Sequence, residues 1–435
     1  MQYTRIAPVA LFALLLLCGT EALRGGDADS LAVQQEDTAR ASNTGRLTLL
    51  YDPDLSMRSG VANVTTLHHW IARLEDKSVG TRWCSEESIP GKTLGIVARL
   101  TKLTLLDLPV DYFTVVLSHE YLGHGARCRE LGISPVHYAF DWPPPYGPGG
   151  GEATSSSSVS IHQAIAVWTG GIEVHPLINR TLALRWMERD RANYREALLY
   201  FWSNQIMLNY YLGASDFDPI LADNDPRAYV RYLNLDNGYA DVRNLNMSVR
   251  DFQDRYRYNM VNPFLFYSIY VAVKSYLWDG DEECGLPALS IAGVDYLPSA
   301  RVGLTPFGPE YHLENYLRVK TTVSLVDLHV GDQTFHKSWG GVGIDVQNVY
   351  EDESFSLDVN LHLWKQPALK LRAGTQLESG GGVGGAFSVR SYYHLGRSPN
   401  SPSAVVELGY KSIGFLESYP MDSSFLILVG LALRD

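Results

Sequence analysis

The chain has 435 residues, 46% of them hydrophobic, with 36 Lys plus Arg against 48 Asp plus Glu for a formal net charge of -12 at pH 7. That length accommodates two domains with a sizeable core, and the hydrophobic share fits a folded chain rather than a disordered one. The acidic balance, without a basic cluster, excludes nucleic acid as an expected partner.

The opening "MQYTRIAPVALFALLLLCGTEALRGG" sets Arg5 ahead of an apolar run from Ile6 to Cys18, followed by small and polar residues. This is the layout of a secretory signal peptide over residues 1–22, too short for a comfortable membrane span. Leu17 stands before Cys18 where a lipoprotein signal prefers a small residue, so export is expected without lipidation. Residues 23–45 are polar and aperiodic, a flexible leader. After export Cys84, Cys128 and Cys284 remain, which suggests one disulfide and one free thiol without choosing the pair. Sequons at Asn63, Asn179 and Asn246 matter only in a eukaryotic secretory pathway. His68 and His69 read as surface residues.

Residues 46–298 read as mainly helical. Two helical stretches meet near Pro109, and the second carries "VVLSHEYLGHGARCRELG" (115–132). The Pro- and Gly-rich segment 143–158 is a loop. Further helices are expected at 159–177, 180–212 and 261–278. Glu173, Lys274 and the charges between Arg185 and Arg195 interrupt them, so this half is not read as an intramembrane bundle.

From about Ser299 the period becomes two. In "SFSLDVNLHLW", Phe355, Leu357, Val359, Leu361 and Leu363 share one face while Ser356, Asp358, Asn360 and His362 share the other. "YLRVKTTVSLVDL" and "PALKLRAGTQL" alternate in the same way, and turn signals delimit about eight strands over 299–435. An eight-stranded closed antiparallel β-barrel follows, giving an α+β chain with a helical part before a barrel. Apolar side chains outward would make this an outer-membrane barrel with membrane lipid as partner and the helical domain in the periplasm; inward, a soluble barrel. Period alone does not choose. Strands of this length with aromatics such as Trp339, Trp364, Tyr392, Tyr393 and Tyr410 near their ends favour the membrane.

The motif poses a geometric question. H-E-x-x-H puts two histidines four apart on one helical face, where both reach one metal ion, but His119 and His124 are five apart. Five steps of a regular α-helix turn about 500°, leaving the rings roughly 140° apart. A local π-type turn realigns i with i+5, and Gly123 is the residue best able to allow it.

"HEYLGH" resembles the lengthened H-E-x-x-G-H signature of the dipeptidyl peptidase III enzymes, which are zinc peptidases. More loosely, Gly123, His124, Ala126, Arg127, Gly132 and Ile133 are similar to the text that follows the motif in site-2 proteases. Each likeness covers about 15 residues, at motif level only. It implies a zincin-like metallopeptidase domain with Zn2+ on His119 and His124 and with Glu120 activating the bound water.

A catalytic zinc takes a third protein ligand. Glu173, in an otherwise apolar helix where an unpaired carboxylate is costly, is the candidate, with His175 and His162 as alternatives. The competing reading of Glu173 is a buried ion pair with Arg127 or Arg185. The expected activity is hydrolysis of a peptide bond in a peptide or protein substrate. Two alternatives stay open: a non-catalytic membrane or assembly protein with a structural histidine pair, and a zinc amidohydrolase acting on lipid or cell-wall amides.

Overall fold

A computed structural model describes residues 45–78, 89–141, 150–213, 224–239, 244–369, 382–396 and 401–434. The expected signal peptide, most of the leader, Cys84 and most of "PALKLRAGTQL" lie outside these residues.

Strand β1 (Arg46–Tyr51) leads into helix α1 (Met57–Ser78). Helix α2 (Ile89–Lys102) continues through a π turn (Leu103–Asp107) into α3 (Leu108–Leu117), and a second π turn (Ser118–His124) joins α3 to α4 (Gly125–Glu130). The hairpin of β2 (Val136–Phe140) and β3 (Gly151–Ser155) precedes α5 (Ile161–Arg189), a 29-residue helix. Its first turn is fixed by a capping box between Ser160 and Gln163, and Asp190 in the left-handed region ends it. The helix expected to stop at 177 therefore runs on through Pro176. After the three-residue strand β4 (Arg191–Asn193), the remaining helices are α6 (Tyr194–Gly213), α7 (Asp225–Asp236), α8 (Val249–Tyr256) and α9 (Pro263–Tyr270). Short strands β5 (Glu283–Gly285) and β6 (Leu289–Ile291) lead into the sheet.

Eight long strands follow: β7 (Val294–Thr305), β8 (Gly308–Val319), β9 (Thr322–Gly331), β10 (Gly340–Glu351), β11 (Phe355–Gln366), β12 (Gly382–His394), β13 (Ser403–Lys411) and β14 (Ser424–Arg434). The run "YLRVKTTVSLVDL", which reads as one alternating segment, is in fact two strands, β8 and β9, broken by a tight turn where Lys320 takes φ +55°. The sheet order is β1-β14-β13-β12-β11-β10-β9-β8-β7-β6. The expected eight strands are present, together with β1 from the other end of the sequence. No closed barrel forms among the described residues, because β1 and β7 do not pair.

Helical residues occupy both sheet edges instead. Asn63 of α1 accepts from Leu50 N at 2.7 Å and donates to Leu50 O at 2.9 Å, and Thr66 donates to Thr48 O. At the opposite edge Asn259 repeats the pairing with Val302, at 2.8 and 3.1 Å, and Tyr229 donates to Thr305 O. A side-chain amide satisfies an edge residue's N–H and C=O much as a neighbouring strand would. These bonds occupy the Asn63 amide and Asn179 is buried, whereas Asn246 is exposed and donates to Thr334 O.

Helix α5 crosses the inner face of the sheet lengthwise. Near its start Ala166 packs with Phe307, Trp339 and Phe415, at one end of the strands. Near its finish Glu188 binds Arg46, and Asp190 binds Arg318 at 2.8 Å, at the other end. Midway, Arg180 meets Glu314 and Asp327, both at 3.0 Å. The inner face carries the buried charges Arg301, Glu314, Asp327, Asp358 and Glu407 beside apolar patches at Leu325, Val405 and Leu428. The outer face is apolar and exposed. In β11, Ser356, Asp358 and His362 point inward while Leu361 and Leu363 are 45% and 48% exposed. Register aligns Ile344, Leu361, Phe387, Tyr410 and Phe425 into one outward row across five strands.

One expectation fails on burial. His68 and His69 are interior residues, 3% and 2% exposed, paired with Asp111 at 2.6 Å and Glu196 at 3.0 Å. Cys128 and Cys284 are both free thiols, so they do not form the disulfide.

Candidate metal centre

The lengthened motif forms the π turn its spacing requires, with His119 and His124 within Ser118–His124. The two rings lie 4.7 Å apart and nearly perpendicular. Gly123 packs backbone to backbone on α5, where an added Cβ would stand 2.7 Å from Gly170 O and Gly171 Cα. Gly171 leaves room for the imidazoles: a Cβ there would fall 2.4 Å from His124 Nε2 and 2.9 Å from His119 Cε1. The glycine pair thus brings two helices into contact exactly where ring volume must be accommodated.

The third donor is Asp225, in the first turn of α7. Its Oδ2 lies 2.7 Å from His119 Nε2 and 3.3 Å from His124 Nε2, and the three buried donor atoms lie within 4.8 Å of one another. Asp225 N donates to the Tyr210 hydroxyl at 3.0 Å, so Tyr210 retains its own proton for donation.

Glu173, the expected third ligand, is elsewhere. Arg127 grips it, Nη2 reaching Oε1 at 2.5 Å and Oε2 at 2.6 Å, and Ser418 N donates to it at 2.7 Å. A carboxylate saturated in this way has no lone pair directed at the histidines. His162 is also remote, paired with Asp236 at 3.1 Å. His175 stands behind the site: its Nε2 is 3.2 Å from His119 Nδ1, and its Nδ1 is 3.2 Å from Ser203 Oγ.

These contacts suit a metal. His124 Nδ1 lies 2.8 Å from Val167 O, so it carries the proton and leaves the Nε2 lone pair free. Burial and the neighbouring His119 push His175 well below the usual histidine range, so it stays neutral and accepts the His119 Nδ1 proton. Both ligand rings are thereby held with Nε2 toward Asp225. Two imidazoles and one carboxylate form a set suited to a borderline divalent ion such as zinc. Without an ion, burial lowers the His124 pKa but Asp225 more than reverses this, pushing it up to about 9. Asp225 is correspondingly held below the usual carboxylate range by His124 and His119 despite its burial.

Glu120 is 5% exposed and lies beside the triad, with Gly151 of β3 over its side chain; a Cβ on Gly151 would come 2.6 Å from Glu120 Cγ. Burial raises its pKa against the opposing pull of His119 and His124, with Asp225 and Glu152 adding to the rise. A raised carboxyl is better matched to exchanging protons near neutrality.

Sequence reasoning missed Asp225 and Tyr210. Asp225 stands in "DNDPRAY", with Asn224 as N-cap and Pro226 in the first turn, and reads as an ordinary helix start. Comparison with protein-family models, curated proteins and solved structures found no match for this chain.

Proposed function

We propose that this chain is a zinc-dependent hydrolase of peptide bonds, exported and held in an outer membrane by its sheet. The observation that carries the reading is the convergence of His119, His124 and Asp225 beside the Glu120 carboxylate. The roles follow those that the lengthened motif implies in dipeptidyl peptidase III enzymes, with Asp225 in the place of the third ligand.

Zinc in this donor set supplies Lewis acidity toward water and a substrate carbonyl. Glu120 takes a proton from the attacking water and returns it to the leaving amine, a transfer its raised pKa favours. Tyr210, kept protonated by burial, donates toward the developing oxyanion. His175 and Val167 O hold the ligand imidazoles in one tautomer and orientation.

The sheet's outer face supports the membrane half of the reading. Strands of 9 to 13 residues are long enough to cross an outer membrane. Strands β8 to β13 present mostly apolar side chains outward and bury charged or polar ones, and β14 exposes Phe425, Ile427, Val429 and Leu431, as in the alternation of an outer-membrane barrel; the edge bonds of Asn63 and Asn259 supply partners a bilayer would withhold.

A second reading is favoured by the 2.7 Å contact between His119 and Asp225: a non-catalytic membrane protein in which this pair is a structural ion pair. Peptide turnover by the wild-type chain separates the two, since the non-catalytic protein has none, and Glu120→Gln then tests the mechanism. In the hydrolase it keeps the metal and loses peptide turnover by about 100-fold or more; undiminished hydrolysis by the variant removes Glu120 from the mechanism.

A further inference from the structure

Helices α1 and α2 expose a stripe of large apolar side chains and bury ionisable ones, α1 while also placing Met57, Val61 and Ala72 in the interior. On α2, Arg99 and Lys102 face inward, where Lys102 meets Glu75 at 2.7 Å and the neighbouring Arg195 meets Asp107 at 2.9 Å. The outward residues Leu94, Val97 and Leu100, with Leu105 of the π turn that follows, are 49–68% exposed. On α1, Leu67, Ile71 and Leu74 recur at i, i+4 and i+7 and are exposed, while His68, His69 and Glu75 are buried in ion pairs. A helix folding in water turns its apolar stripe inward and leaves charges solvated. Both helices expose apolar stripes and bury paired ionisable groups, as much of the sheet does, although Arg73 of α1 stays exposed.

The two surfaces adjoin. Asn63 and Thr66 seat α1 on the edge of β1, and Leu67 follows Thr66 in sequence. Beyond β1 lies β14, whose Ile427, Val429 and Leu431 are exposed. No helix of the described residues is long and apolar enough to cross a membrane.

We propose that the outward faces of α1 and α2 contact lipid acyl chains, so that the apolar surface of the sheet continues onto the metal-bearing helical half. The proposal rests on the sheet's outer face lying in a bilayer. Ion pairs beneath α2 replace the solvation that its cations would otherwise find in water, and the exposed leucines and valines replace the charges that a water-facing surface would carry.

The test places a diazirine-bearing phenylalanine at Ile71, Val97, Phe387 or Arg250 of the full chain in phospholipid vesicles, followed by illumination and mass analysis of adducts. Lipid adducts are expected at 71, 97 and 387 and not at 250, an exposed position on α8. Adducts at 387 but not at 71 or 97 overturn this proposal and leave the membrane-held sheet standing. Cross-links at 71 and 97 to a second copy of the chain overturn it in favour of a dimer interface. Absence of lipid at all positions overturns both proposals.

Discussion

Arg127 and Glu173 form a buried two-oxygen ion pair that ties the motif helix to α5, three residues beyond the candidate ligand His124. The loop between β13 and β14 closes over it: Arg127 also donates to Tyr419 O at 3.0 Å, and Glu130 accepts from Met421 N. The sheet thus holds the helix that carries the metal donors.

Removing Glu173 leaves the Arg127 guanidinium buried without its main counter-ion. Glu173→Ala is expected to destabilise the fold by about 3–5 kcal/mol. Denaturant unfolding measures this, and the fraction that remains folded should still bind metal, because Glu173 is not a donor.

Gly171→Ala tests the space between the helices. A methyl group there would contact both imidazoles, at 2.4 and 2.9 Å, so the rings must shift from Asp225. Displacement of ligand geometry of this order lowers metal affinity by about 10–100-fold. Titration with zinc against a competing chelator reads the change; unchanged affinity would place the ion elsewhere.

The pH dependence separates metal-free from metal-bound protein. His124 rises from an unfolded value near 6.5 to about 9 when paired with Asp225 in the metal-free fold. A raised folded pKa contributes stability that is complete below pH 6.5 and lost as pH climbs through 9. Zinc needs the neutral imidazole, so its affinity moves oppositely and strengthens over that interval. Thermal unfolding with chelator should therefore weaken from pH 6.5 to 9, while the increment added by zinc grows.

His119, Glu120 and His124 were legible because spacing alone dictates geometry: five residues demand a π turn, and the π turn is present. The Gly170–Gly171 pair lets the motif helix approach α5 closely. Glu173 shows the limit of such reasoning. An apolar context says that a carboxylate needs a partner, but a cation and a metal meet that need equally well, and Arg127 supplies it here. Asp225 arrives from a helix about a hundred residues further on, with only a helix-start pattern around it.

The sheet divides in the same way. Alternation in "SFSLDVNLHLW" groups Leu361 with Leu363 and Asp358 with His362. It is silent on which group faces α5, since that depends on what Arg180 and its neighbours offer from another element. Alternation also suggests closure, but the edges are held by Asn63 and Asn259, single residues that no periodic pattern reveals.

Metal content of the purified full chain tests the centre most directly, by elemental analysis of wild type, Asp225→Ala, His119→Ala and Glu173→Ala. The expected result is about one zinc per folded wild-type chain, lost in the Asp225 and His119 variants and kept in the folded fraction of Glu173→Ala. A wild-type chain that takes up no metal, or zinc retained after Asp225→Ala, would contradict it.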